Sequence, residues 1–105
     1  MNLNIHKDLF MEISSSENIV TIKGNIKTVS NYKTIKSAID NLTTKKKNIT
    51  IKIADSFSIT SSVIGYFNKL ILKDKIDISM TVSNSQLIEL LEDLNLVQLF
   101  KARKV

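Results

Sequence analysis

The chain has 105 residues, of which 43% are hydrophobic and 24% charged, with a formal net charge of +5; this is the size of one domain around one modest core, in an ordinary globular balance. It contains no cysteine, which excludes disulfides, thiol catalysis and a cysteine-based zinc site and fits a reducing cytoplasm. Apolar stretches reach about five residues, against the roughly 20 that span a bilayer, and Met1 is not followed by a basic segment and an apolar run, so neither membrane insertion nor a signal peptide is expected.

In chain order, Leu9 to Ile13 reads as a short strand and Ser14-Ser15-Ser16-Glu17-Asn18 as a polar turn. Ile19 to Lys23 is a second strand, ended by Gly24 and close enough to the first to form a hairpin. Asn31 to Leu42 reads as a helix, because Tyr32, Ile35, Ala38, Ile39 and Leu42 recur at spacings of three and four. Ser30 is placed to cap it. Ile49, Ile51 and Ile53 alternate with polar residues, a strand with one buried face. A second helix starts at Ser61 or Ser62 and runs to Leu72, with Val63, Phe67, Leu70 and Ile71 in one stripe and Ile64 at its edge. Ile76, Ile78, Met80 and Val82 alternate again. Leu87, Leu90, Leu91 and Leu94 mark a third helix, and Ser83-Asn84-Ser85-Gln86 has the spacing of a capping box. Val97 to Lys101 ends the pattern as a strand or turn.

The order β-β-α-β-α-β-α requires crossovers, so part of the sheet is parallel. Because the strands alternate, one sheet face is packed by helices and the other is wet. The expected architecture is a single α/β domain over residues 1–105, in two layers, with a mixed sheet of four to five strands and helices on one face.

Most chemistries find no support. His6 is the only histidine and has no spaced partner, so no metal ligand set is expected. Glu92 and Asp93 are helix neighbours, which do not face one another; with Glu89 they read as a solvated face. Two isolated glycines, Gly24 and Gly65, cannot build a phosphate cradle. A serine nucleophile lacks a base held by a third group. No enzyme, cofactor or small-molecule substrate is expected. The basic charge could serve nucleic acid, but fourteen of the fifteen cations are lysine and only Arg103 supplies a guanidinium. The densest run, Lys45-Lys46-Lys47, reads as a solvated loop, and direct nucleic-acid binding is the weakest functional reading.

Ser56, Ser58, Thr60, Ser61 and Ser62 crowd the entry to the second helix. Capping explains one of them. A hydroxyl exposed at a helix start is also suited to a reversible switch, since phosphorylation adds about −1.5 to −2 charges and the positive end of the helix dipole accommodates them.

Three segments together resemble the STAS (sulfate-transporter and anti-sigma-factor-antagonist) family over about residues 10 to 100. Phe57-Ser58-Ile59-Thr60-Ser61-Ser62-Val63-Ile64-Gly65-Tyr66-Phe67 is similar to the family's apolar-Asp-Ser-Ser/Ala-Gly-Leu-Gly segment at the start of its second helix. Val82 to Phe100 resembles the final helix and hydrophobic end. Val20-Thr21-Ile22-Lys23-Gly24-Asn25-Ile26 resembles the strand-Gly-apolar turn before helix one. The resemblance implies a regulatory protein-binding module, an anti-sigma factor antagonist acting by partner switching. It implies phosphorylation at Ser61 by a serine kinase that doubles as anti-sigma factor, with Thr60, Ser62 and Ser56 as alternative acceptors. It also implies a binding surface of Asn25, Lys27, Ser58, Thr60, Ser61, Ser62 and Gly65, in a cytoplasmic monomer or weak dimer. Three positions depart from the pattern: Thr60 replaces the motif aspartate, Val63 the first glycine, and Lys27 an acidic residue. These departures leave a second reading, a non-phosphorylated STAS subunit of a membrane-associated transport or signalling complex. An alignment with Asp55-Ser56 at the motif ranks behind, since it moves Gly65 out of register and puts Ser62 in the apolar stripe.

Overall fold

The computed structural model describes residues 11–105, so His6 and the start of the first expected strand lie outside the described residues. Among the described residues nine elements follow one another: β1 (Glu12–Ser16), β2 (Ile19–Lys23), α1 (Val29–Thr43), β3 (Asn48–Ala54), α2 (Ser61–Leu72), β4 (Asp77–Val82), α3 (Ser85–Asp93), α4 (Val97–Phe100) and β5 (Ala102–Lys104). The five strands form one sheet in chain order, β1-β2-β3-β4-β5. β1 is antiparallel to β2, and every later neighbour is parallel.

The register explains the alternation. Val20, Ile51, Met80 and Ala102 pair in one row, and Ile22, Ile53 and Val82 in the next. All seven are buried. They meet Ile35 and Ile39 from α1, Val63, Phe67 and Leu70 from α2, Leu87 and Leu91 from α3, and Phe100 from α4. Phe67 and Phe100 touch edge to face, with ring centroids 5.8 Å apart. The opposite sheet face carries Thr21, Lys52, Thr81 and Arg103 in a single cross-strand row. This is the two-layer α/β arrangement expected from the strand pattern.

Four boundaries differ from expectation. The first strand runs on through Ser16, and only Glu17 and Asn18 form the turn. Pairing explains the shift: β2 offers a partner to each of Glu12 to Ser16, and exposed serines on an edge strand lose little by joining. Glu17 closes the turn with a left-handed φ of 56°. Second, α1 is capped by Thr28, not Ser30. Thr28 Oγ1 accepts from Asn31 N at 3.0 Å, and Asn31 Oδ1 accepts from Thr28 N at 3.1 Å. Two reciprocal bonds outcompete the single one that Ser30 could make. Third, α3 is capped by Asn84, whose Oδ1 accepts from the backbone of Gln86 and Leu87. Ser83 is occupied elsewhere, accepting from Asp55 N at 3.1 Å. Fourth, the tail is a helical turn ended by left-handed Lys101 (φ 51°), followed by the strand β5.

Candidate functional site

Parallel strands that share a direction deliver their outgoing loops to one edge of the sheet. The loops after β2 and β3 therefore lie side by side, and backbone and side-chain bonds lock them together. Gly24 N donates to Ala54 O at 3.0 Å. Ser56 Oγ donates to the Gly24 carbonyl and Ser58 Oγ to Ile26 O at 3.3 Å. Asn25 Oδ1 accepts from Phe57 N at 2.9 Å. Gly24 takes φ 96°, a conformation that a side chain would strain, which accounts for the glycine at this crossing. Asp55 takes a left-handed φ of 57° and turns the chain out of β3.

This clasp sets the position of the α2 entry. Thr60 is extended (φ −91°, ψ 157°), and its Oγ1 accepts from Val63 N at 3.3 Å. Capping is thus done by Thr60, and Ser61 stands at the first helical position with an exposed side chain. Ser62 is exposed beside it. Gly65 is exposed one turn on, and a Cβ built there would meet nothing within 4 Å. The fold itself therefore supplies no packing reason for a glycine at this position.

The sequence-derived residues separate into two groups. Asn25, Lys27, Ser58, Thr60, Ser61 and Ser62 come together on the paired loops and the first turn of α2, with Gly65 continuing the surface along the helix. Ser56 does not join them: it is fully buried, and its hydroxyl bonds to the Gly24 carbonyl. A kinase could reach it only by opening the clasp. Sequence reasoning missed Phe57, which is 52% exposed on the β3–α2 loop beside Asn25. Its signal was an aromatic residue in a polar connection, outside any apolar stripe. Among the described residues no cluster of three or more His, Cys, Asp or Glu side chains could hold a metal ion. Nor, among them, is any helix long and apolar enough to cross a membrane.

No family model matches the sequence, and no curated protein sequence matches it. Among solved structures, the chain is similar to an anti-sigma factor antagonist from Mycobacterium paratuberculosis, with a TM-score of 0.69 and 10% identity over 91% of this chain and 86% of that one. At this identity the likeness is one of fold: the mixed five-stranded sheet and its helices are built as in that antagonist, on a sequence that shares few of its residues.

Proposed function

We propose that this chain is a regulatory protein-binding module that docks a partner on the loops after β2 and β3 and on the first turn of α2, and that phosphorylation of Ser61 releases the partner. One observation carries the reading: Thr60 does the capping, so the Ser61 hydroxyl is exposed at the start of a twelve-residue helix and free for modification. A phosphate there would lie at the positive end of the helix dipole, tolerated by the fold but opposed by an acidic or apolar partner surface. Phe57 supplies the apolar anchor of the docking surface, since interfaces concentrate their energy in a few central aromatic residues. Gly65 lets the partner's backbone approach the helix closely.

The fold shared with an anti-sigma factor antagonist supports a protein partner, a serine kinase/anti-sigma factor or a signalling enzyme, and a cytoplasmic setting. The test is a pull-down from native cells with Ser61→Ala and Ser61→Asp as bait. Ser61→Ala retains the partner and Ser61→Asp loses it; equal capture by both variants would sink the switch. Thr60 in place of an acidic cap favours a second reading, a subunit of a membrane-associated complex that binds without modification. Intact mass of the native protein separates the two: a chain that is never phosphorylated yet co-purifies with such a complex supports the latter.

A further inference from the structure

The two edges of the sheet are built differently. β5 is three residues long and presents exposed Arg103 and Lys104, features that discourage a further strand. β1 has five residues, Glu-Ile-Ser-Ser-Ser, with no proline and no lysine. Among the described residues no strand pairs with its outer side. In a two-residue hairpin the residues flanking the turn exchange hydrogen bonds, so Ser16, Ser14 and Glu12 direct their backbone groups to β2. Ile13 and Ser15 direct theirs outward.

A groove runs between this edge and α1, lined by Ile13, Ser30, Lys33, Thr34, Ser37 and Ala38. Apart from Ile13 and Lys33 these are small side chains, which allow another helix to approach. The signs also match: the turn after β1 carries Glu17 and no cation, whereas the groove carries Lys33 and no acid.

We propose that this edge is the docking surface for a second copy of the chain, its β1 pairing antiparallel with the first about a two-fold axis and joining the two sheets into one. An antiparallel edge contact is self-complementary, as a two-fold interface must be. Both Ile13 side chains then lie on the helix side, between the two α1 helices. A five-residue strand is only about 17 Å long, so the contact is of the small, reversible kind. The interface lies on the flank of the sheet, away from Ser61, so both copies keep the α2 entry open and the proposal does not depend on the switch.

Sedimentation equilibrium of the full chain over a concentration series tests it. The expected result is a monomer–dimer equilibrium. Ser15→Pro removes an outward N–H without touching the β1–β2 ladder, and raises the dissociation constant at least tenfold. Ser37→Arg fills the groove from an exposed helix position, where folding is not at risk, and does the same. Arg103→Ser, on the opposite edge, leaves the equilibrium unchanged. A chain that stays monomeric at every concentration overturns the proposal, as does a dimer indifferent to both β1-side variants or one weakened by Arg103→Ser alone.

Discussion

The Tyr66 hydroxyl on α2 donates a 2.6 Å hydrogen bond to Asp40 Oδ1 on α1, while Lys36 Nζ holds the other carboxylate oxygen at 2.6 Å. Lys36 also sits 5.7 Å from the Tyr66 ring centroid, and Tyr32 meets that ring edge-on at 6.3 Å. Four side chains thus tie α1 to the helix that carries Ser61. Burial pushes the Asp40 carboxyl up, but hydrogen bonds from Lys36 and Tyr66 outweigh it and hold it below its ordinary value. Burial, and then Asp40, push the Tyr66 phenol up.

Tyr66→Phe therefore removes one bond to a charged, partly exposed acceptor and costs about 1–2 kcal/mol of stability. Urea denaturation reads it as a lower midpoint at unchanged slope.

The pH dependence has a defined sign. Asp40 is depressed in the folded state, so its stabilisation is present above the ordinary carboxylate range and is lost as pH falls through the depressed value. Tyr66 is raised, so its share is full below the ordinary phenol range and is lost only in alkali. The stability gap between the native chain and Asp40→Asn is constant near neutrality and closes below about pH 4. Thermal melts at several pH values check this.

Thr60→Ala removes the α2 cap and costs about 1 kcal/mol. Thr60→Asp keeps an acceptor there and adds a negative charge at the positive helix end, so it melts at or above the native temperature. A lower melting temperature for Thr60→Asp would show that the cap acts through something other than its acceptor oxygen.

Ser61→Asp is stabilising by about 0.3–1 kcal/mol, because the charge is exposed and complements the dipole. Calorimetry should show a rise of a few degrees. Loss of partner binding in this variant is then a property of the surface and not of unfolding.

Gly65→Ala fills open space in the middle of a helix and stabilises the chain by about 0.5–1 kcal/mol. Under the proposed docking mode the same substitution weakens partner binding, since the added methyl would stand on the docking surface. A variant that is more stable and binds equally well would leave Gly65 outside the interface.

The strands β2, β3 and β4 and the apolar stripe of α2 were legible because each is set by local pattern, alternation in the strands and helical spacing in α2, whereas Ser61 was singled out among the crowded hydroxyls only by the family resemblance. Contacts between distant segments were not. Nothing in Asn25 announces that it will accept from Phe57 N, 32 positions away, and nothing in Ser56 announces its burial against Gly24. The cap of α1 fell to Thr28 because Asn31 could reciprocate, a pairing visible only in the folded turn. The clasp between the two loops is tertiary, and it decides which hydroxyls of the crowded run face outward.

The strand order carries a consequence for how the chain assembles. Each strand lies beside the one before it in sequence, so the sheet can grow in one direction as the polypeptide emerges, without any strand being inserted between two others. Each parallel pairing closes across one crossover, 31 residues from Val20 to Ile51, 29 from Ile51 to Met80 and 22 from Met80 to Ala102, so no step has to close a loop longer than a single β-α-β unit. The segment from α4 through β5 brings Phe100 onto Phe67 and Ala102 beside Met80. Until β5 has been made, the apolar row at Met80 stays open at its end, so the nascent chain closes this row only once Ala102 has been added.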